Sequence, residues 1–171
     1  INFIEGDITD KKNLDLLLIK FSINIIINFA AESHVDRSIS NPSQFIHTNI
    51  LGTYVLLDTF KNYWKSNGSN DNWRFIQIST DEVFGSLGFD EKSFDEHTSY
   101  SPRSPYSASK ASGDHLAMSW FHTYGLPVIL SNCSNNYGPF QYPEKLIPKT
   151  IINIILGYQI PVYGKGLNIR D

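Results

Sequence analysis

Two short runs carry side chains able to move protons. In "STDEVFG" (79–85), Asp81 and Glu82 stand side by side after Phe75, Ile76, Gln77 and Ile78, which read as a strand, with Gly85 as its exit. Adjacent side chains on an extended backbone point to opposite faces, so a purely structural motif would rarely want both to be acids. The pair is either a solvated turn or two catalysts with different tasks. In "YSASK" (106–110), Tyr106 and Lys110 are four apart and share one face of a helix. An ammonium beside a phenol favours the phenolate and lowers a pKa that, at about 10, makes a poor base at neutral pH. Alone, that spacing is as easily an exposed helix pair.

These side chains need elements to position them. "INFI" (1–4) reads as a strand ending at Gly6-Asp7. A helix follows, capped by Asp10 or Thr9, with Leu14, Leu17 and Leu18 at helical spacing. "INIIINF" (23–29) is a β-branched run, as expected of a parallel strand buried on both faces. The segment 41–66 predicts one long helix with Phe45, Asn49, Gly52, Val55, Leu56 and Thr59 on a common face. A loop of turn formers (67–72), a strand (73–79) and a polar stretch (86–103) lead to Ser104-Pro105, a good N-cap and first helical residue for a helix over 105–124. A strand over 126–132, a helix in 144–157 expected to begin after Pro148, and a short strand over 159–164 complete the chain. No internal repeat or low-complexity tract interrupts it.

Strands alternating with long helices predict βαβ units, hence an α/β fold with a Rossmann-like doubly wound parallel sheet. Ligands of such sheets bind beyond the carboxyl ends of the strands. Asp7, "AAESH" (30–34), "STDE" (79–82) and "NCSNN" (132–136) all fall along that edge, which is therefore the expected active site.

Composition narrows the classes. The 171 residues, 41% hydrophobic and 18% charged, describe a soluble globular domain long enough to bury a core. A net charge of -3 gives no reason to expect nucleic acid or an anionic membrane as partner. No apolar stretch approaches the roughly 20 residues of a membrane span. The single cysteine, Cys133, excludes an internal disulfide and suits a reducing cytosol; with no histidine paired to it, it reads as packing. His34, His47, His97, His115 and His122 lack metal-ligand spacing, so no metal is expected. "NGS" and "NCS" are glycosylation sequons by pattern only. The chain opens on "INFIEGDITD", with neither a signal peptide nor an initiator Met, which suggests a start inside a longer polypeptide.

Tyr106 and Lys110, following Thr80 at a strand end in a βαβ chain, resemble the catalytic set of the short-chain dehydrogenase/reductase superfamily. There Tyr is the base, Lys tunes it, and a Ser or Thr assists. Sugar-nucleotide epimerases of the extended branch usually carry small or hydroxyl residues where Asp81 and Glu82 stand. The Thr-Asp-Glu triplet instead resembles that of the nucleotide-sugar 4,6-dehydratases. With "GDITD" (6–10), "FAAESHVDRSI" (29–39), "TNILGT" (48–53), "NNYGPFQYPEKLIP" (135–148) and "NIRD" (168–171), the chain is closely similar, from first residue to last, to the dTDP-glucose 4,6-dehydratase family.

That resemblance implies an NAD-dependent lyase acting on dTDP-glucose by oxidation at C4, loss of water across C5 and C6, and reduction at C6. It implies Glu82 as the base at C5 and Asp81 as the acid at C6, with Tyr106 taking the O4 proton, Lys110 supporting it and Thr80 bonding the sugar oxygen. Neighbouring carboxylates would also push one pKa up and help one stay protonated. For NAD it implies Asp7 and Ile8 at the adenine, Phe29, Ala30, Ala31 and Thr48 around the rest of the dinucleotide, and Asn136 on the nicotinamide side. For the substrate it implies Ser33 and Asn135 at the sugar, Lys145, Leu146, Pro161, Val162 and Tyr163 at the nucleotide, and Arg170 as a clamp on the diphosphate. It further implies a cytoplasmic homodimer in which helices 41–66 and 105–124 pair with their copies in a four-helix bundle. The aromatic load of Tyr54, Tyr63, Trp64, Trp120, Phe121 and Tyr124 is a physical motive for that pairing.

The family's Gly-rich phosphate loop has no counterpart here, so the chain is expected to be a fragment. Residues 1–143 would be a partial NAD-binding domain starting at its third strand, and 144–171 the start of the nucleotide-sugar region. The first two strands and most of the C-terminal domain would be missing, and the fragment alone inactive. UDP-glucose 4,6-dehydratase and UDP-glucuronate decarboxylase remain alternatives within the class. A non-catalytic Rossmann-like binding protein is the alternative outside it, although a binding module needs none of Thr80, Asp81, Glu82, Tyr106 and Lys110.

Overall fold

A computed structural model describes residues 1–88, 90, 92–162 and 166. Three parallel strands, β1 (Ile25–Asn28), β2 (Arg74–Thr80) and β3 (Val128–Cys133), form one sheet in the order β1-β2-β3. The register sets Ile26 beside Phe75 and Phe75 beside Val128. Helix α1 (Lys11–Phe21) precedes β1. Between β1 and β2 run α2 (Val35–Ser40), α3 (Pro42–Phe45), a π-helical segment (Ile46–Gly52) and α4 (Thr53–Ser66). Helix α5 (Pro105–Tyr124) links β2 to β3, and α6 (Leu146–Leu156) follows.

Local chemistry explains the boundaries. Asp10 caps α1 by accepting from the Asn13 backbone N–H. Ser104 and Ser107 form a reciprocal capping box at the start of α5, with Pro105 in the first turn, where its missing N–H costs nothing. Gly125 ends α5 in the left-handed region, at φ 72°. Pro148 lies inside the first turn of α6, so the helix starts ahead of it. The expected helix 41–66 is helical from Pro42 to Ser66, but a π segment interrupts it.

The core lies between α1, α4, α5 and one face of the sheet. Leu18, Leu56, Leu57, Phe60, Trp64, Phe75, Ala117 and Leu126 are buried together there. Ile26, Val128 and Leu130 pack against them from the strands. Ile25, Ile27 and Ile129, on the other face, are about half exposed. The expectation of burial on both faces is therefore not met in the described structure. Right-handed crossovers put the connecting helices of successive parallel neighbours on the same side, and here α1, α4 and α5 share that side.

Two expected strands also differ. Residues 1–4 form no ladder, and a strand without a partner leaves its backbone groups to water. Residues 159–162 are irregular, and the rest of that expected strand, including Tyr163, falls outside the described residues. Trp64 belongs to the core, and Tyr63 and Trp120 pack against it, so these three do not add to a surface aromatic load.

Phe60 is fully buried and stacks near both Trp73 and Phe75, with centroids 5.7 and 6.1 Å away. Phe60→Ala should cost roughly 3–5 kcal/mol, measured as a lower midpoint of denaturant unfolding; a loss below about 1 kcal/mol would contradict this core.

Candidate active site

The carboxyl ends of the strands turn polar before they reach the surface. After Thr80 the chain makes a short 3-10 turn, Asp81–Val83, capped by the Thr80 hydroxyl, which accepts from the Glu82 N–H at 3.3 Å. The same hydroxyl donates to Asp81 Oδ1 at 3.1 Å. Gly85 leaves the turn at φ 112°, and a Cβ there would lie 2.8 Å from the Ser101 carbonyl oxygen, so glycine is needed on both counts. The Ser101 N–H closes the loop onto Val83 O at 2.9 Å.

Helix α5 lies against this turn and presents Tyr106 and Lys110. A recess of about 440 Å³ opens between them and the strand ends. Among the predicted catalytic residues, Thr80, Glu82, Tyr106 and Lys110 line it. Phe29, Ala31 and Asn136, predicted at the cofactor, line it too, as do Ser33, Asn135, Lys145 and Leu146, predicted at the substrate. An adjoining recess of about 610 Å³ shares Ser33, Glu82, Asn135, Lys145 and Leu146 and extends to Arg103 and Pro161.

Other predicted residues lie elsewhere. Asp81 is buried and lines a neighbouring recess of about 430 Å³ with Phe84, Phe94 and Asn132. Asp7, Ile8 and Thr48 form a separate group around the π segment. The Asp7 carboxylate accepts from Thr9 N and Oγ1 at 2.7 and 2.8 Å, which holds its pKa below the usual range. Ile8 packs so close to Gly52 that a Cβ there would meet its Cδ1 at 2.5 Å. The Ala30 N–H donates to Asn28 Oδ1 at 3.2 Å. Val162 is exposed, and Tyr163 and Arg170 fall outside the described residues.

The electrostatics are not those the Tyr-Lys spacing suggested. Tyr106 is pushed up to about 12, first by burial and then by the charge of Glu82; the Thr80 hydroxyl pulls the other way. Lys110 is not among the groups that move the phenol; its ammonium donates to the Ile78 carbonyl oxygen at 2.5 Å. Burial lowers the pKa of Lys110, and Asp114 partly restores it.

Two polar residues to which sequence reasoning gave no role in the site hold it. Asn49, 2% exposed, binds both backbone groups of Glu32, accepting from N at 2.9 Å and donating to O at 3.0 Å. It also donates to Ser109 Oγ at 2.8 Å, and Ser109 in turn donates to Tyr106 O at 2.7 Å. Asn49 thus ties the 29–33 loop to the catalytic face of α5. Asp114, one turn beyond Lys110, accepts from Ser79 Oγ at 2.5 Å. The available signal was a polar side chain at a core position of a helix, which demands a partner. Among the described residues, no cluster of metal ligands forms, and no helix is long and apolar enough to cross a membrane.

Known proteins share this sequence and fold. A family model described as GDP-mannose 4,6 dehydratase matches residues 1–171. A dTDP-glucose 4,6-dehydratase of Xanthomonas campestris is 52% identical over 99% of the chain and 48% of its own length. A crystal structure of a dTDP-glucose 4,6-dehydratase from Streptomyces venezuelae with NAD and TYD bound superposes with TM-score 0.88 at 44% identity, covering 99% of this chain and 49% of that one. The same enzyme from Bacillus anthracis in complex with NAD gives TM-score 0.84 at 45% identity, with 99% and 49% covered. The chain spans about half the length of the curated relatives it matches.

The ordering of effects on Tyr106 is open to titration. Glu82→Gln removes a negative charge beside the phenol, so its midpoint should fall from about 12. Thr80→Val removes a hydrogen bond that favours the phenolate, so the midpoint should rise. Phenolate absorbance, differenced against Tyr106→Phe, reads both; an unmoved midpoint in Glu82→Gln would refute the electrostatic assignment.

Proposed function

The chain belongs to the GDP-mannose 4,6 dehydratase family, and from that premise we propose that it serves an NAD-dependent 4,6-dehydratase of dTDP-glucose acting in the cytoplasm. One observation carries the reading: the Thr80–Asp81–Glu82 turn lies against the Tyr106 and Lys110 face of α5 at the carboxyl end of the sheet. An oxidoreductase that only moves hydride needs no pair of carboxylates there.

The residues present fit NAD. The recess has the size of an ordinary ligand site. Ala30 and Ala31 let backbone approach a ligand closely, while Tyr106, Lys110 and Asn136 offer a hydroxyl, an ammonium and an amide. Asp7, Ile8, Phe29 and Thr48 complete the cofactor set. NAD supplies the acceptor and donor of hydride when bound. Ser33 and Asn135 would hold the sugar, and Lys145, Leu146, Pro161, Val162 and Tyr163 the nucleotide, with Arg170 at the diphosphate, where a cation is favoured.

Tyr106 takes the O4 proton as C4 is oxidised, and Thr80 steadies that oxygen. The new 4-keto group acidifies the C5 proton, which Glu82 removes. The C6–O bond then breaks, and Asp81 gives its proton to the departing hydroxyl, so water leaves and a C5–C6 double bond forms. Asp81 must turn out of its own recess to do this. Hydride returns to C6 and a proton to C5, so the sugar is dehydrated with no net oxidation.

A second part of the proposal is a homodimer through α4 and α5. Tyr54, Phe121 and Tyr124 support it, since each leaves about two-fifths of its surface exposed on those helices. The intact protein should sediment as a dimer at micromolar concentration; a monomer there would overturn the interface.

The sharpest test of the chemistry is the double variant Asp81→Asn, Glu82→Gln, which preserves volume and hydrogen bonding but removes acid and base. It should still oxidise C4, accumulating reduced cofactor and a 4-keto-glucose nucleotide, with dehydration slowed by at least about 10²-fold. Dihydronicotinamide absorbance in a single turnover and mass spectrometry for the lost water report the two steps. Dehydration at the wild-type rate would reduce the carboxylates to a solvated turn.

A further inference from the structure

Asp114 is a carboxylate with almost no access to water, 1% exposed, and none of the proposed proton transfers uses it. It stands one helical turn beyond Lys110 and two beyond Tyr106, on the same face of α5. Ser79 Oγ donates to its Oδ2 at 2.5 Å and Tyr100 OH at 3.1 Å. Asn132 Nδ2 donates to Tyr100 OH at 3.3 Å. The end of β2, the stretch leading into α5 and the end of β3 therefore meet at one side chain. Its second oxygen, Oδ1, is buried without a hydrogen-bond partner.

An amide in this position would serve the same two donors at less cost, because burying an ion with an unmet oxygen is expensive. What an amide lacks is charge. The titratable groups around Lys110 are Tyr106 and Asp114 on its own helix and Cys133 on β3; Glu82 and Asp81 face Tyr106 from the turn after β2, and Tyr100 reaches Asp114 from the stretch before α5. Asp114 is the foremost of these in opposing the loss of charge that burial imposes on Lys110. Burial leaves Asp114 above the usual carboxylate range, with the Ser79 hydrogen bond and then the charge of Lys110 resisting that push.

We propose that Asp114 is a positioning residue of the site: an ionised carboxylate one helical turn beyond Lys110 that, through Ser79 and Tyr100, fixes the strand end carrying Thr80, Asp81 and Glu82 and from the same face of α5 supports the lysine's charge. The 4,6-dehydratase reading supplies the reaction it serves, but its effect on Lys110 stands without substrate.

The test is Asp114→Asn in the intact protein, which keeps shape and acceptor and removes the charge. With lysine Nζ labelled and the signal assigned by its loss in Lys110→Met, Lys110 should titrate at least about one unit lower than in the wild type, a tenfold loss of proton affinity. Above the new midpoint, kcat on dTDP-glucose should fall at least about tenfold with KM within about twofold, a split that general loosening would not give. If the variant fails to fold, carbon NMR of the labelled Asp114 carboxyl in the wild type decides: an ionised carboxylate at neutral pH supports the proposal, a protonated one overturns it. An unchanged Lys110 midpoint in a folded variant also overturns it. Should the wild type leave dTDP-glucose untouched, the activity reading fails while the titration still judges Asp114.

Discussion

The contact between Lys110 Nζ and the carbonyl oxygen of Ile78 fixes how α5 lies on the sheet, and the site is built around that placement. A lysine side chain can reach a strand backbone only if the helix sits close. Gly113 allows this: a Cβ there would fall 3.1 Å from Asn49 O and 3.4 Å from Gln77 Nε2. Ala111 and Ala117, both buried, keep the rest of that face thin. The capping box at Ser104 sets where the helix begins, and so places Tyr106 in its first turn, over the end of β2.

The covered face of the sheet changes character along the strands. Ile26, Phe75 and Val128 form an apolar row in register. One step on, Asn28 donates to Gln77 Oε1 at 2.9 Å and to Thr53 Oγ1 at 3.4 Å, all buried. The next row holds Ser79 and Asn132, joined through Asp114 and Tyr100. Buried polar groups cost free energy unless paired, so this gradient is stable only as a connected network. It means the site is prepared two residues below the surface, where rotamers are locked. The π segment fits the same scheme, since such bulges concentrate at functional sites, and this one carries Asn49, which holds the 29–33 loop in place.

Much of this was legible in the residues. The span of α5 follows from Ser104-Pro105 at one end and Gly125 at the other, strong local signals that tertiary packing did not override. Glu82, Tyr106 and Lys110 could be brought together from strand–helix alternation alone, because parallel sheets gather their loops at one edge. What could not be read depended on neighbours. Residues 1–4 have strand composition, but a strand exists only as a ladder. The run 23–29 is rich in isoleucine on both faces, yet which of its faces is covered depends on the hand of the crossovers. Asp114 was hidden because a carboxylate four residues after a lysine usually marks a solvated helix face; only its burial reveals otherwise. The sign of the Tyr106 shift was hidden for a similar reason. Spacing placed Lys110 near the phenol but could not show that burial and Glu82 would outweigh it.

Three carboxylates, Asp81, Glu82 and Asp114, thus surround one ammonium and one phenol. Burial first, and the charge of Glu82 after it, hold Tyr106 at about 12. At neutral pH such a phenol is ionised in only about one molecule in 10⁵, too few for an effective base. A single positive charge about 4 Å away, in surroundings of effective dielectric about 20, is worth about 4 kcal/mol, close to three pKa units. No rearrangement of this chain's own groups is needed to supply it: a cationic ring entering the recess would. The carboxylate charge that adds to burial in disarming Tyr106 also attracts such a ring. Under the proposed chemistry the two effects are one device, in which Tyr106 stays protonated in the free site and becomes a base only when a positively charged partner lies against it.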